Sequence, residues 1–551
     1  MAHMDRNNNS ESARWKALPA ACCWLALLVA AGIYLRLLGA NGYHLSPDES
    51  MHVGIASGKS LSEVIAFAHY ETHPPLLYIL THYWMMISSD PAFLRGISLL
   101  FGVAVIFVHY RTGRFLGGPM AGFCCAALVA FSFGCIIQSY VVRHYMILLL
   151  FLSLSYYYYI RWRRDARGVD LLAYSICGAL ACLTHFSGIF AIACFLLDDG
   201  LGFLRGRTKL NIRWLGINAI IIAIALAMYV SWAPILKAVK GYYSFAGLMK
   251  LLYALSYPLA VTTYVFPAGL SALAIVALLM ATAFTSKSGD TPLRRCMGLA
   301  WIALGLGIAL ILLSIFPFAG TRHSLWTLPF LIPPVGWLLA LFCGWLGKRT
   351  AKPELFNAAV AAAIIAGGLV MYDPAARFHD NVEYAIPQKQ WQTAEAFFAT
   401  LGPEDLIIAQ KVDAAVLANV YPHLGSAPFD KSSMVAIVPY GKTRILLNPY
   451  YQLMNQRGTL TPTIEEARKH GVFDGVTRLV FINGTNTNIP IVNLMRCGAL
   501  DDKQFIPPDA DMKHLSADLI LMTAPAQVFL DEVMNESGKA HGCIALPKAA
   551  P

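Results

Sequence analysis

Apolar stretches of about twenty residues, separated by short polar loops, occupy roughly the first two thirds of the chain. An α-helix needs about twenty apolar residues to cross the hydrocarbon core of a bilayer. The pattern predicts eleven membrane spans, at 18–39, 92–110, 118–139, 145–160, 170–186, 188–204, 214–234, 258–284, 297–317, 325–346 and 355–372. Composition agrees, because 57% of the residues are hydrophobic and only 13% are charged, which excludes a wholly soluble protein. We therefore expect a polytopic α-helical membrane protein.

The pattern changes in the tail, residues 373–551, where the apolar runs become short. Helix-like stretches alternate there with apolar runs, at 388–400, 405–409, 434–438, 463–470, 478–482 and 518–521. This alternation predicts a small C-terminal α/β domain. No GxGxxG or P-loop motif occurs in it, so no nucleotide is assigned to it. An internal repeat is not detectable either, which counts against a transporter.

Basic residues accumulate in every second loop, and this bias predicts the topology. The richer loops carry Arg14, Lys16, Arg111, Arg114, Arg161, Arg163, Arg164, Arg167, Arg205, Arg207, Lys209, Arg213, Lys287, Arg294, Arg295, Lys348, Arg349 and Lys352. We expect residues 1–17, which begin with a vector remnant, to be cytoplasmic, residues 18–372 to form the membrane domain, and the tail to be periplasmic in a bacterial inner membrane. The net charge of +10 is spread over these loops, so nucleic-acid binding is not expected.

The first loop, residues 40–91, is long for a connection between spans. In Ser46-Pro47-Asp48-Glu49, a serine cap, a proline at the first helical position and a glutamate three residues after the cap predict a helix start. Ser60-Leu61-Ser62-Glu63 repeats this device, so we expect two short helices on the membrane surface. Capping explains Glu49 but leaves Asp48 only a modest role at the helix dipole. Asp48 is therefore a candidate general base, with Glu49 as the alternative.

Basic side chains on the sparsely charged side are candidates for binding an anionic group. Arg143, and Arg322 with His323, lie at span ends against the charge bias, which either a phosphate ligand or snorkelling would explain. His73 precedes Pro74-Pro75, which should stiffen the chain there, and it could hold an anion or shuttle a proton. Weaker candidates are His185, Lys237 and Lys240.

Histidines, carboxylates and cysteines are the residues of this chain that could bind a metal or form a disulfide. A metal site could be built from His44, His52, His69 and His73 with Asp48, Glu49 and Glu71. Their spacing matches no recognised ligand motif, so no metal and no other cofactor is expected, with a divalent metal as the alternative. Of the twelve cysteines, all but two lie in or beside apolar segments, as small core side chains. Cys497 and Cys543 lie in the tail and are candidates for one disulfide if the tail is periplasmic.

Several of these motifs together resemble the GT-C superfamily of membrane glycosyltransferases, in the branch of protein O-mannosyltransferases and lipid A aminoarabinose transferases. The matching stretches are Asp48-Glu49 after the first span, Glu71-Thr72-His73-Pro74-Pro75-Leu76-Leu77-Tyr78, Arg143-His144-Tyr145, Leu183-Thr184-His185-Phe186 and Arg322-His323-Ser324-Leu325. The aminoarabinose branch tends to have Lys-Pro where this chain has His73-Pro74. A lysine is normally cationic at neutral pH and a histidine often is not, so this departure from the family's pattern predicts a different grip on the donor phosphate.

The resemblance implies an inverting transfer of a sugar from a polyprenyl-phosphate-linked donor to an acceptor at the periplasmic face. Asp48 would take the acceptor's proton. The side chains implied for the donor phosphate are His73, Arg143, Arg322 and His323; those implied for the acceptor are Glu71, His69, Tyr78, His185 and Lys240. The acceptor stays open between lipid A, another glycan, a lipid and a protein, and the sugar between hexose and pentose. The alternatives are a lipid or solute transporter, a lipid-diphosphate-dependent oligosaccharide ligase and an inactive scaffold.

Overall fold

The computed structural model describes residues 22–38, 43–206, 211–240, 247–267, 270–286, 292–315, 320–372, 388–424, 436–448, 467–484, 511–514 and 519–525. The helices up to residue 371 are α1 Cys22–Leu38, α2 Pro47–Ala56, α3 Leu61–Ala68, α4 Leu76–Met85, α5 Pro91–Ala130, α6 Phe133–Ser139, α7 Tyr145–Asp165, α8 Gly168–Thr184, α9 Gly188–Leu204, α10 Ile212–Lys240, α11 Gly247–Val265, α12 Ser271–Ser286, α13 Pro292–Leu312, α14 Leu328–Gly347 and α15 Pro353–Met371. A 3₁₀ helix, Arg322–Thr327, precedes α14.

Five of the helical stretches that the structure describes are long and apolar enough to cross a membrane. By length and composition, those able to cross one include α5, residues 212–233 of α10, α13, the stretch Arg322–Gly347 and α15; α1 and α8 are shorter apolar helices. Large apolar side chains such as Leu226 and Leu355 are exposed on their surfaces, where lipid would cover them. The predicted fold class, a polytopic helical membrane protein with a C-terminal α/β region, is confirmed. The number of eleven spans stays a prediction.

One predicted span is wrong, because the stretch 258–284 is not a single helix. The structure divides it between α11 and α12, with Pro267 at the break. Proline has no backbone N–H to donate and disfavours a helical conformation in the residue before it, so it ends the helix. A second break falls inside the predicted span 118–139, where the Ser132 hydroxyl accepts from the Cys135 backbone N–H at 3.3 Å and begins α6.

Helix α5 joins two predicted spans across a kink. Gly117 and Gly118 leave helical geometry there, and Gly118 has a φ of +82°. Residues with a Cβ rarely adopt that conformation, which explains a glycine at this position. Pro119 follows immediately and restarts the helix. The kink therefore changes the direction of the chain between the apolar segments before Gly117 and after Gly118, without a loop between them.

Both helices predicted in the first loop are present with their serine caps. The Ser46 hydroxyl accepts from the Glu49 backbone N–H at 3.3 Å and begins α2. The Ser60 hydroxyl accepts from the Glu63 backbone N–H, also at 3.3 Å, and begins α3. Helix α4 then leads back toward α5. The first loop is therefore a folded helical unit.

The tail contains a mixed sheet, as the alternating pattern predicted. Its elements are α16 Gln388–Phe398, β1 Asp405–Gln410, α17 Lys411–Leu417, the 3₁₀ helix Tyr421–His423, β2 Ala436–Tyr440, β3 Thr443–Asn448, β4 Arg478–Gly484, β5 Asp511–His514 and β6 Leu519–Pro525. The strand order is β2-β3-β1-β4-β6-β5. The central strand β1 pairs in parallel with β3 and β4, and the outer pairs are antiparallel. In the central register, Ile407 lies between Ile445 and Val480. The boundary between the two domains, at 372–373, stays a prediction.

Candidate active site

The carboxylate of Glu49 forms a buried clamp at the start of α2. One oxygen, Oε2, accepts from the Ser46 backbone N–H at 2.9 Å and completes the capping box. Arg95 of α5 donates to both carboxylate oxygens, each at 3.0 Å. The backbone N–H of Val142, between α6 and α7, donates to Oε1 at 3.1 Å. Since Glu49 is fully buried and both its oxygens are occupied, it ties three segments together around Asp48.

Arg95 is a site residue that sequence reasoning missed. Besides Glu49 it reaches the backbone carbonyls of Tyr43 and His44, at 3.0 and 2.9 Å, and so fixes the chain that enters α2. The available signal was the charge bias, because Arg95 lies near the end of a span at the sparsely charged side. A buried guanidinium group requires several acceptors, and the first loop supplies them.

Asp48 lies beside two arginines from distant parts of the chain. Its Oδ2 is 3.0 Å from Arg143 Nη1 and 3.2 Å from Arg322 Nη2, and its side chain is 20% exposed. Burial alone would raise the pKa of Asp48, but Arg143 and Arg322 outweigh burial and hold this pKa below its ordinary value. The carboxyl group is therefore ionised at neutral pH and open to a ligand. Two guanidinium groups face this single carboxylate, so the group of three carries a net positive charge.

Three buried histidines lie behind Asp48. His52 Nδ1 is 3.0 Å from the backbone carbonyl oxygen of Asp48, which can only accept, so the proton of neutral His52 is on Nδ1. His52 Nε2 then accepts from His144 Nδ1, at 2.8 Å. The ring of His73 stacks on that of His144, with centroids 4.4 Å apart and an interplanar angle of 11°. Burial lowers the pKa of His73 well below its ordinary value, and nearby His144 adds to this shift.

The arrangement of these three histidines does not suit a metal ion. One ring nitrogen from each of His52, His73 and His144 lies within 4.8 Å of the other two. Imidazole nitrogens bind a metal along their ring planes, yet the planes of His73 and His144 are stacked almost parallel and do not converge on one ion. Arg143 is the chain neighbour of His144 and adds a positive charge that repels a cation. The geometry fits hydrogen bonding around an anion better than metal coordination.

A further group of rings continues from His73. His185 has its ring centroid 5.0 Å from that of His73, and its Nδ1 accepts from the Ser187 backbone N–H at 3.0 Å, which leaves the proton on Nε2. The hydroxyl of Tyr145 is 3.3 Å from His323 Nδ1. The ring of Tyr78 packs against the rings of His52 and His144, with centroid distances of 4.9 and 5.0 Å. These side chains can offer donors and acceptors to a polar ligand next to Asp48.

Most of the residues singled out from the sequence converge here. The structure brings together Asp48, Glu49, His73, Tyr78, Arg143, His185, Arg322 and His323. Glu71 is instead held by Lys411 and Tyr421 of the tail, and His69 stacks on Trp232 of α10 at 3.9 Å. Lys240 ends α10, but its side chain is outside the described residues, as are Cys497 and Cys543 with their possible disulfide. Arg95 is an addition from the structure, which also brings in His52, considered from the sequence only as a possible metal ligand, and His144, noted there only within a motif.

Acidification is expected to destabilise the protein, because His52 is buried as a neutral imidazole. Burial, with a contribution from Arg143, lowers the pKa of His52 to about 3. Below the ordinary value of about 6.5, the unfolded chain binds a proton that the folded protein excludes, so the free energy of unfolding decreases as the pH falls. At pH 4.5 this group alone is expected to remove roughly 2–3 kcal/mol. The measurement compares unfolding at pH 7.5 and 4.5 for wild type and His52→Gln. An equal pH dependence in both proteins would contradict the assignment.

The fold of this chain is similar to that of solved structures, although its sequence matches no family model. No protein-family model matches the chain, and no curated protein matches its sequence. ArnT from Cupriavidus metallidurans in the apo state superposes with a TM-score of 0.52 at 12% identity, covering 92% of this chain and 99% of ArnT. The same protein bound to undecaprenyl phosphate gives a TM-score of 0.51 at 13% identity, covering 92% and 98%. The Archaeoglobus fulgidus oligosaccharyltransferase, in complex with Zn and sulfate, gives 0.51 at 14% identity, covering 83% and 67%.

Both neighbours superpose on this chain with similar TM-scores, 0.52 and 0.51. At 12–14% identity the likeness shows the fold alone. It extends over the helical region and the tail together, since 92% of this chain superposes on ArnT. The resemblance expected from the motifs is confirmed at the level of the fold: the chain shares the fold of ArnT and of the Archaeoglobus fulgidus oligosaccharyltransferase.

Proposed function

We propose that the protein is an inverting glycosyltransferase that uses a polyprenyl-phosphate-linked sugar. The observation that carries this proposal is the contact of Asp48 with both Arg143 and Arg322. Asp48 supplies an ionised base, and the two guanidinium groups supply more positive charge than that carboxylate neutralises. A phosphate bound to a sugar is the ligand that this combination suits. One structural neighbour was solved with undecaprenyl phosphate, which supports a lipid-linked donor.

In the proposed reaction, Asp48 accepts the proton of an acceptor hydroxyl as its oxygen attacks the anomeric carbon. The bond between the anomeric carbon and the phosphate oxygen breaks, and its electron pair goes to that oxygen. The phosphodiester, with one negative charge, thus becomes a lipid phosphate monoester with up to two. Arg143 and Arg322 neutralise the added charge, so the leaving group is stabilised by preorganised cations. His73 and His323 extend this phosphate site.

The remaining assignments follow from the same geometry. Glu49 is a structural support for Asp48 in this proposal, because both its oxygens are already bonded. Tyr78 packs on His52 and His144, and His185 lies beside His73, so both are proposed to contact sugar or acceptor. The charge bias of the loops supports a bacterial inner-membrane protein with a cytoplasmic amino terminus and a periplasmic tail. The acceptor is proposed to be a lipid, glycan or protein hydroxyl at that face.

The test is transfer of label by the purified protein in lipid nanodiscs. Donors are radiolabelled sugars on undecaprenyl monophosphate, the same sugars on undecaprenyl diphosphate, and the matching nucleotide sugars, each with a cell-envelope extract as the source of acceptor. We expect transfer from a monophosphate donor only, with inversion at the anomeric carbon and no loss in EDTA. Transfer from the diphosphate would establish an oligosaccharide ligase instead. Transfer that needed added Zn²⁺ or Mn²⁺ would overturn the proposed role of the histidines.

A further inference from the structure

The first loop and the tail share one hydrophobic core. Ile55 of α2 and Val64 of α3 lie in the same buried cluster as Ile407, Ile445 and Val480 of the sheet. Trp391 and Tyr421 of the tail belong to the same cluster. The apolar surface of these side chains is removed from water only while the first loop and the tail are docked together. The tail is thus packed onto the loop that carries Asp48.

The fit is close at the contact between α2 and the tail. A Cβ added at Gly54 would lie 3.1 Å from the ring of Tyr421, closer than ordinary van der Waals contact. Asn419 also donates to the Ser57 hydroxyl at 2.6 Å. The absence of a side chain at Gly54 therefore lets the ring of Tyr421 approach the backbone of α2.

A buried ion pair lies at the centre of this interface. Lys411 Nζ, on the first residue of α17, is 2.6 Å from Glu71 Oε1 and 2.9 Å from the backbone carbonyl oxygen of Tyr70. The hydroxyl of Tyr421 donates to the same Glu71 oxygen at 3.0 Å. Lys411, Glu71 and Tyr421 are all buried. A buried pair with these additional hydrogen bonds defines one relative position of its two partners.

The pair acts on the segment that carries a site histidine. Glu71 is two residues before His73, and the prolines Pro74 and Pro75 restrict the backbone directly after it. His73 stacks on His144 and approaches His185, so a shift of residues 69–75 would move an imidazole within the site. Lys411 itself makes its contacts with Glu71 and Tyr70, in the segment before His73.

We propose that Lys411 is a positioning residue, through which docking of the tail holds residues 69–75 so that His73 lies in the donor phosphate site. The tail is then required for a competent site, whatever acceptor it also contacts. The kinetic part of this inference rests on the proposed transferase function. The structural part, that Lys411 orders residues 69–75, does not depend on it.

The test compares Lys411→Met, which removes the charge and keeps an unbranched stem, with Lys442→Met as a matched control. Lys442 is exposed in the turn between β2 and β3. Amide hydrogen exchange of residues 69–73 is expected to speed up about tenfold in Lys411→Met, as for a loss of about 1.4 kcal/mol of local stability, and to stay unchanged in Lys442→Met. The KM for the lipid-linked donor is expected to rise about tenfold, with kcat changed less than threefold.

Tyr421→Phe provides the second variant. It removes one hydrogen bond to Glu71 and keeps the ring, so it is expected to fold and to shift exchange and KM in the same direction by a smaller factor. If Lys411→Met does not fold, Tyr421→Phe decides alone. Exchange of residues 69–73 at the wild-type rate in a folded variant would overturn the proposal. If wild type transfers no sugar, the proposed function fails, and the exchange data still decide whether Lys411 orders the segment.

Discussion

Transfer is expected to fall at least about 100-fold when Asp48 is replaced by asparagine, because the amide cannot accept the proton of the acceptor hydroxyl. Binding of undecaprenyl phosphate is expected to persist or to strengthen, since Asp48 no longer competes with the phosphate for Arg143 and Arg322. The measurements are the single-turnover rate with saturating donor and the dissociation constant of undecaprenyl phosphate. If Asp48 is the base, Asp48→Asn should therefore lower the transfer rate without weakening the binding of undecaprenyl phosphate.

The matched control for this variant is Asp165→Asn. Asp165 is the last residue of α7 and pairs with its neighbour Arg164, whereas Arg143 lies just before the start of the same helix. Because α7 has 21 residues, Asp165 and Arg143 lie roughly 30 Å apart, at opposite ends of this helix. The control is expected to transfer sugar at the wild-type rate. Equal rates for wild type and a folded Asp48→Asn would remove Asp48 from the chemistry, and parallel loss of rate and phosphate binding would make it a residue of the binding site only.

Replacing Arg95 with methionine is expected to lower the free energy of unfolding by about 3–5 kcal/mol. The reason is that Glu49 is fully buried and would keep its charge without its only ion-pair partner among the described residues. Its bonds to the backbone N–H groups of Ser46 and Val142 compensate only part of that cost. The measurement is denaturant unfolding in detergent, followed by circular dichroism.

The double variant Arg95→Met/Glu49→Gln separates the buried charge from lost packing. A glutamine can still accept from the backbone N–H groups of Ser46 and Val142, and no charge then remains buried. We expect this protein to regain a substantial part of the stability lost in Arg95→Met. A single variant as stable as wild type would show that the clamp does not support the start of α2. A double variant no better than the single would place the loss in the contacts of Arg95 with Tyr43 and His44.

Local chemistry explains what the sequence made predictable. The contacts of Ser46 with Glu49 close within three residues, so the motif alone specifies the cap that orients Asp48. The ends of the apolar runs place Arg143 and Arg322 at one surface, although their convergence on Asp48 spans up to 274 positions. Order along the chain cannot show such a contact. The resemblance to a family supplied it as an expectation.

Other contacts depend on the three-dimensional fold and left no pattern in the sequence. The family resemblance implied that Glu71 binds the acceptor, yet in the structure its partner is Lys411, 340 positions away. His144 was noted only as part of a motif, and its bond to His52 depends on how the first loop packs against the start of α7. The break between α11 and α12 did have a local signal in Pro267, which the continuous apolar pattern concealed.

The shared core also determines the order in which the protein can be completed during its synthesis. The first loop is made early, but side chains that cover it, among them Trp391, Ile445 and Val480, follow more than 300 residues later. Until the ribosome has passed β4, the apolar surface of α2 and α3 lacks its partner. The segments that carry Asp48, Arg143 and Arg322 are therefore synthesised with the membrane helices, well before the tail that packs on the first loop. A chain that stops early would keep this apolar surface exposed, which would make it a target for chaperones and proteases.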